Sequence, residues 1–107
     1  MKLIYAIVNS DDSSTVVSSL SKEGYYATKL SSTGSFLMSG NITLMIATED
    51  VKVDKAIEII KQHSKKRKQT VPSASSYGMG MYEPFPIEVT VGGATIFVTN
   101  IERFEKV

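Results

Sequence analysis

An α+β sandwich, with one antiparallel sheet carrying two helices on a single face, is the fold class predicted for this chain of 107 residues. Three observations point to it. Leu3 to Val8 is apolar at nearly every position, as a strand covered on both faces requires. Two stretches with helical spacing of apolar residues alternate with strand-like runs. Near the carboxyl end, two alternating runs flank Gly92-Gly93.

Each element has a local reason. After the first strand, Asp11, Asp12 and Ser13 offer capping side chains and negative charge for a helix start. Val16, Val17 and Leu20 form that helix's apolar stripe, and Gly24 ends it. Tyr25 to Ser32, rich in aromatic and hydroxyl residues, reads as a second strand, and Ile42 to Thr48 as a third. Thr48, Glu49 and Asp50 open a second helix, whose apolar face is Val53, Ala56, Ile57 and Ile60 and whose end is Lys65-Lys66-Arg67-Lys68. From about 69 to 86 Ser, Gly, Pro and Met dominate without a period, which predicts a long loop. Ile87–Val91 and Ala94–Val98 then form a hairpin through a two-residue turn. The order β-α-β-β-α-β, with an added strand from the C-terminal hairpin, is the ferredoxin-like split βαβ plan over a single domain, 1–107.

Composition narrows the function. A formal net charge of +1 exerts no general pull on nucleic acid or anionic membrane, so neither is expected as a partner. The absence of cysteine excludes disulfides, thiolate metal sites and cysteine nucleophiles. His63 is the only histidine, so one chain cannot build a histidine metal cluster. The carboxylates Asp11, Asp12, Glu49, Asp50, Asp54 and Glu58 sit at helix starts or on helix faces, where capping and solvation account for them without acid–base chemistry. Neither a catalytic constellation nor a Walker or dinucleotide fingerprint is present, so no enzyme is expected. The apolar start is too short for a signal peptide and runs straight into Asn9-Ser10-Asp11-Asp12; it reads as the first strand of a cytoplasmic protein.

The most informative segment is the loop 33–40, where Phe36 and Leu37 lie in a polar, glycine-bearing tip with no period to bury them. They serve either as a plug at an oligomer interface or as the wall of a ligand pocket. Thr28 and Asn41, polar residues flanking the tip, favour a ligand. A second signal is two-sided apolarity of the sheet. In the expected hairpin Val91 faces Ala94, Val89 faces Ile96 and Ile87 faces Val98, toward the helices, while Phe97 opposes Glu88 on the other side. Leu3, Tyr5 and Ile7 point one way and Ile4, Ala6 and Val8 the other. Helices cover one face; either another subunit or the long loop, with its Met79 and Met81, covers the second. The basic residues Lys61 and Lys65–Lys68 read as a solvated helix end, or else as a docking patch for an anion or a partner.

These residues together resemble a known family. Ala27-Thr28-Lys29-Leu30, Thr33-Gly34 with Phe36-Leu37 and Gly40-Asn41, and Pro86-Ile87-Glu88-Val89 through Val91-Gly92-Gly93-Ala94-Thr95-Ile96-Phe97-Val98 are similar to the PII-like cyclic di-AMP receptors of Gram-positive bacteria. The resemblance runs essentially end to end. It implies a PII-like homotrimer without catalysis or cofactor, which binds cyclic di-AMP in clefts between subunits and signals through its loops to a downstream protein that the sequence does not identify.

The same resemblance implies roles for individual residues. Phe36 and Leu37 would wall the adenine, a contact worth roughly 1–3 kcal/mol. Asn41 would read its N6/N7 edge. Thr28 would donate its hydroxyl to a phosphate oxygen, Ala27 and the backbone around Ser35 would offer amides, and Phe97 would add apolar contact from the adjoining sheet face. Four positions depart from the pattern. Members commonly carry asparagine where this chain has Gly24, and a phosphate-binding arginine where it has Tyr26; Ser35 and Ala47 replace glycines. Tyr26 can stack or donate its hydroxyl but cannot neutralise a phosphate. The alternative reading is therefore a PII-like trimeric interaction module that has lost cyclic di-AMP, or that senses another adenine nucleotide.

Overall fold

A computed structural model describes residues 1–30, 40–72 and 86–107. The expected loop tip with Ser35, Phe36 and Leu37, and Met79 and Met81, lie outside the described residues. The elements run β1 (Lys2–Asn9), α1 (Ser10–Lys22), β2 (Ala27–Leu30), β3 (Asn41–Thr48), a single 3₁₀ turn (Asp50–Lys52), α2 (Val53–Gln62), β4 (Arg67–Pro72), β5 (Pro86–Val91) and β6 (Ala94–Asn100). The main sheet is antiparallel with strand order β2-β3-β1-β6, while β4 and β5 make a separate two-stranded sheet. With β6 as the fourth strand, this is the ferredoxin-like arrangement of an α+β fold.

Alternation along the strands sorts the two faces. Ile4, Ala6 and Val8 of β1 and Leu44 and Ile46 of β3 turn to the helices and are fully buried against Val16, Leu20, Ala56 and Ile60. Burying each of the valine, leucine and isoleucine side chains contributes roughly 1.5–3 kcal/mol, and this one-sided layer is the core of the domain. The helix ends follow from local chemistry. Asn9, rather than the acidic residues after it, caps α1: its side chain accepts the Asp11 amide at 2.8 Å, and Asp11 and Asp12 fall in the first turn. At the other end the Gly24 amide donates to the Ser21 carbonyl at 3.0 Å and the Tyr25 amide to the Leu20 carbonyl at 2.9 Å. Gly24, at φ +88, closes this Schellman motif, and Tyr25 packs into the core beside Leu20.

The carboxyl-terminal third departs from the sequence-based expectation. No hairpin forms between β5 and β6. Instead β6 pairs with β1, with Val98 opposite Ile4, Ile96 opposite Ala6 and Ala94 opposite Val8, and β5 pairs with β4. Pairing with β1 lets Ile96 pack against the helix-covered core, a contact no isolated hairpin provides. Gly92 and Gly93, at φ +86 and +80, carry the chain from one sheet to the other. A Cβ at Gly92 would stand 2.4 Å from the Lys65 carbonyl oxygen. The expected extra strand is thus one of two, and neither joins the main sheet.

Helix α2 also ends earlier than expected, at Gln62, with Ser64 buried and its hydroxyl donating to the Ile60 carbonyl. Arg67 and Lys68 therefore belong to a strand, and Gln69–Pro72, expected in the long loop, extend it. This run has no apolar alternation of its own; pairing with β5 makes it a strand, Lys68 lying opposite Thr90 and Gln69 opposite Val89. A two-pronged ion pair from Arg67 to Asp12, at 3.0 and 3.1 Å, ties the start of this ribbon to α1.

Candidate functional site

The sheet face away from the helices carries the candidate site. One row crosses all four main strands: Thr28 opposite Met45, Met45 opposite Tyr5, and Tyr5 opposite Phe97. Leu3 and Ile7 flank Tyr5, while Thr43 and Ala47 flank Met45 on the same side. Tyr5, Met45, Leu3 and Ile7 are only half-buried, and Phe97 is 54% exposed. Among the described residues, no helix lies over this face. The two-sided apolarity expected from the sequence is present here.

Local structure decides how the residues before and within β2 are aimed. The Schellman motif seats Tyr25 in the core, where its hydroxyl donates to the Lys52 carbonyl at 2.8 Å. Alternation then turns Tyr26 outward, 84% exposed, returns Ala27 to the core side and places Thr28 outward again. Tyr26 and Thr28 thus share an edge of the open face. Ala27 has only its backbone to offer there.

After β6 the chain crosses the end of the sheet. The Ile101 amide donates to the Met1 carbonyl at 3.2 Å, and the segment continues to Phe104 and to Lys106, which reaches Tyr26. A groove of about 540 Å3 results, floored by Leu3, Met45 and Ala47 and walled by Tyr26, Thr28 and Phe104. Its volume is in the range that holds a small ligand, and its mix of apolar floor and polar rim suits a flat molecule with polar edges. Lys52, Glu49 and Lys106 bring charge to the rim. The Lys106 ammonium lies 5.6 Å from the centre of the Tyr26 ring, a cation–π distance.

The residues singled out in the sequence do not all converge within one chain. Thr28 and Tyr26 line the groove. Phe97 stands three strands from Thr28 in the same row, about 14 Å away at ordinary strand spacing. Asn41 shares the open face but lies four residues up β3 from Met45, about 13 Å distant. It follows Gly40, whose carbonyl accepts the Ser10 amide at 3.1 Å and so fixes where the loop rejoins the fold. Phe104 and Lys106 carried no local signal in the sequence; only the path of the chain after β6 brings them to the groove.

Three ion pairs anchor the surrounding elements. The amino-terminal ammonium, 3.1 Å from Asp50, holds that carboxyl below the usual carboxylate range. Glu23, 2.6 Å from Lys55, raises the lysine, and Asp12 raises Arg67. Of these groups only Met1, which carries the ammonium, lines the groove. Lys61, Lys65 and Lys66 border a second groove of about 480 Å3, between α2 and β6. Among the described residues no helix is long and apolar enough to cross a membrane, and no group of three metal-ligating side chains occurs.

Comparison with known proteins gives this geometry a family. A family model described as cyclic-di-AMP receptor matches residues 1–107, the whole chain. The chain belongs to the cyclic-di-AMP receptor family. Among solved structures, a functionally unknown protein from Pediococcus pentosaceus is 39% identical with a TM-score of 0.74, the match covering 99% of this chain and 96% of that one. The matched description names a receptor for cyclic di-AMP, and the groove beside Thr28 has the size of a small-molecule cleft.

Proposed function

We propose that the protein is a non-enzymatic, cytoplasmic receptor that binds cyclic di-AMP in clefts between the subunits of a homotrimer, each subunit one PII-like domain. The observation that carries this reading is the division of the open sheet face. Thr28 and Tyr26 border a groove at one edge, while Phe97 projects from the strand at the opposite edge with more than half its surface exposed. A neighbour laid edge to edge brings its Phe97 to the first subunit's groove and covers apolar surface on both. Phe36 and Leu37 then close the pocket over adenine, Asn41 reads the base edge, and Thr28 with the Ala27 backbone and the amides near Ser35 hold phosphate. Ligand held this way biases the loop 33–40 and the segment between β4 and β5, which present the signal to a downstream protein.

Isothermal titration with cyclic di-AMP tests the reading. Saturable heat at one ligand per subunit interface supports it; absence of heat and of any thermal shift at high ligand concentration refutes the ligand and leaves the fold intact. A second reading has one observation in its favour. Tyr26, at a groove edge where an arginine would pair with phosphate, is uncharged and exposed. On that reading the protein is a trimeric interaction module without this ligand, or one that senses another adenine nucleotide. Tyr26→Arg separates the two: a charge-assisted contact is worth about 1.5–3 kcal/mol, so a variant that binds while the natural protein does not would select the second.

A further inference from the structure

We propose that Lys106 is the phosphate-binding cation of the groove, delivered by the segment that crosses the end of the sheet. The inference rests on the cyclic di-AMP reading and names the charge that reading otherwise lacks. Each phosphodiester of such a ligand is an anion, and a hydroxyl such as that of Thr28 offers a hydrogen bond without neutralising it. Two lysines, Lys52 and Lys106, lie along the groove, together with the amino-terminal ammonium. That ammonium is engaged by Asp50 at 3.1 Å. Lys52 follows the Glu49 and Asp50 carboxylates on the 3₁₀ turn, which weaken the local field for an anion. Lys106 stands on the other side, over the Tyr26 ring at 5.6 Å, two residues from Thr28 on the same sheet face. Neither lysine has a carboxylate partner among the described residues, whereas the nearby Arg103 and Glu105 pair with each other at 2.7 Å.

The segment is held where this role needs it. The Ile101–Met1 backbone hydrogen bond fixes its start, and Phe104 lines the groove that Tyr26 also lines. The cation–π contact keeps the ammonium at the rim when no anion is present. It is weak at an exposed ring, so a phosphate reaching the groove replaces it. Lys106 thereby supplies from a different strand end the charge that Tyr26 does not.

Titration of cyclic di-AMP into the full chain and three variants tests this, at low and at elevated salt. Lys106→Met keeps the aliphatic stem and removes the charge; it is expected to weaken binding about 10-fold or more at low salt and to flatten the salt dependence. Lys106→Arg is expected to stay within a few-fold of the natural protein. Lys52→Met, the control for loss of any positive charge at the rim, is expected to have the smaller effect. Lys106 is exposed, so melting temperatures should coincide and affinity alone should move. If the natural protein binds and Lys106→Met binds equally well with unchanged salt dependence, the role of Lys106 is overturned while the receptor reading stands. If the natural protein itself does not bind, both fall.

Discussion

Replacing Phe97 by alanine is the sharpest probe of the proposed edge-to-edge assembly. Phe97 leaves 54% of its surface exposed in the protomer. An aromatic side chain buries roughly 150–250 Å2, so about 110 Å2 is available to a neighbour. At about 25 cal/mol per Å2 that surface contributes about 2.7 kcal/mol, of which alanine retains a small part. A loss of about 2 kcal/mol per contact is about 30-fold in affinity, and three contacts in a closed trimer multiply to about four orders of magnitude. The protomer itself should be unaffected, because the residue lies outside the helix-covered core. Sedimentation equilibrium over a dilution series reads the effect directly. The variant should dissociate at concentrations where the natural protein stays assembled, with an unchanged circular dichroism spectrum. Undiminished assembly would refute the edge-to-edge arrangement, and a loss of protomer stability comparable with that of a core truncation would refute the placement of Phe97.

Three further outcomes follow from the fold and its ion pairs. Leu44→Ala removes a fully buried side chain from the middle of the sheet and should cost about 2–5 kcal/mol in urea unfolding; a cost below about 1 kcal/mol would contradict its place in the core. Gly92→Ala combines a φ of +86 with a Cβ only 2.4 Å from the Lys65 carbonyl oxygen, so it should cost roughly 1–3 kcal/mol and more than Gly24→Ala, where φ is +88 but the space is open. Equal costs at the two glycines would show that the close approach is relieved elsewhere. Asp50 is held below its ordinary range by the amino-terminal ammonium, so its contribution is present above about pH 4 and is lost as pH falls through its lowered folded value. Asp50→Asn should therefore lower stability at neutral pH and flatten the acid side of the stability curve; matching slopes for the two proteins would exclude the pair as a determinant.

Legibility of the site follows the same division as legibility of the fold. The outward aim of Thr28, Tyr5 and Phe97 is a matter of alternation, and alternation is written in neighbouring residues. The exposure of Tyr26 follows from Gly24, which closes α1 and commits Tyr25 to the core. Ala27, one residue from Thr28, turns its side chain to the opposite face, so the expected role there is one for its backbone alone. Phe104 and Lys106 were beyond reach because nothing near them marks the groove they join, some eighty residues away along the chain.

What the amino-acid order alone determined is the succession of strands and helices through α2, the division of the first strand into two alternating sides, and the apolar character of both sides. Those features depend on periods of two and 3.6 residues and on caps within one turn, all local quantities. What only the tertiary structure decided is partnership. Two alternating runs joined by Gly-Gly are a sound hairpin locally, yet β1 offers β6 a helix-backed core against which Ile96 packs, and β4 offers β5 a hydrogen-bonded ladder. The run from Arg67 to Pro72 becomes a strand through pairing with β5, by hydrogen bonds that no pattern within it announces.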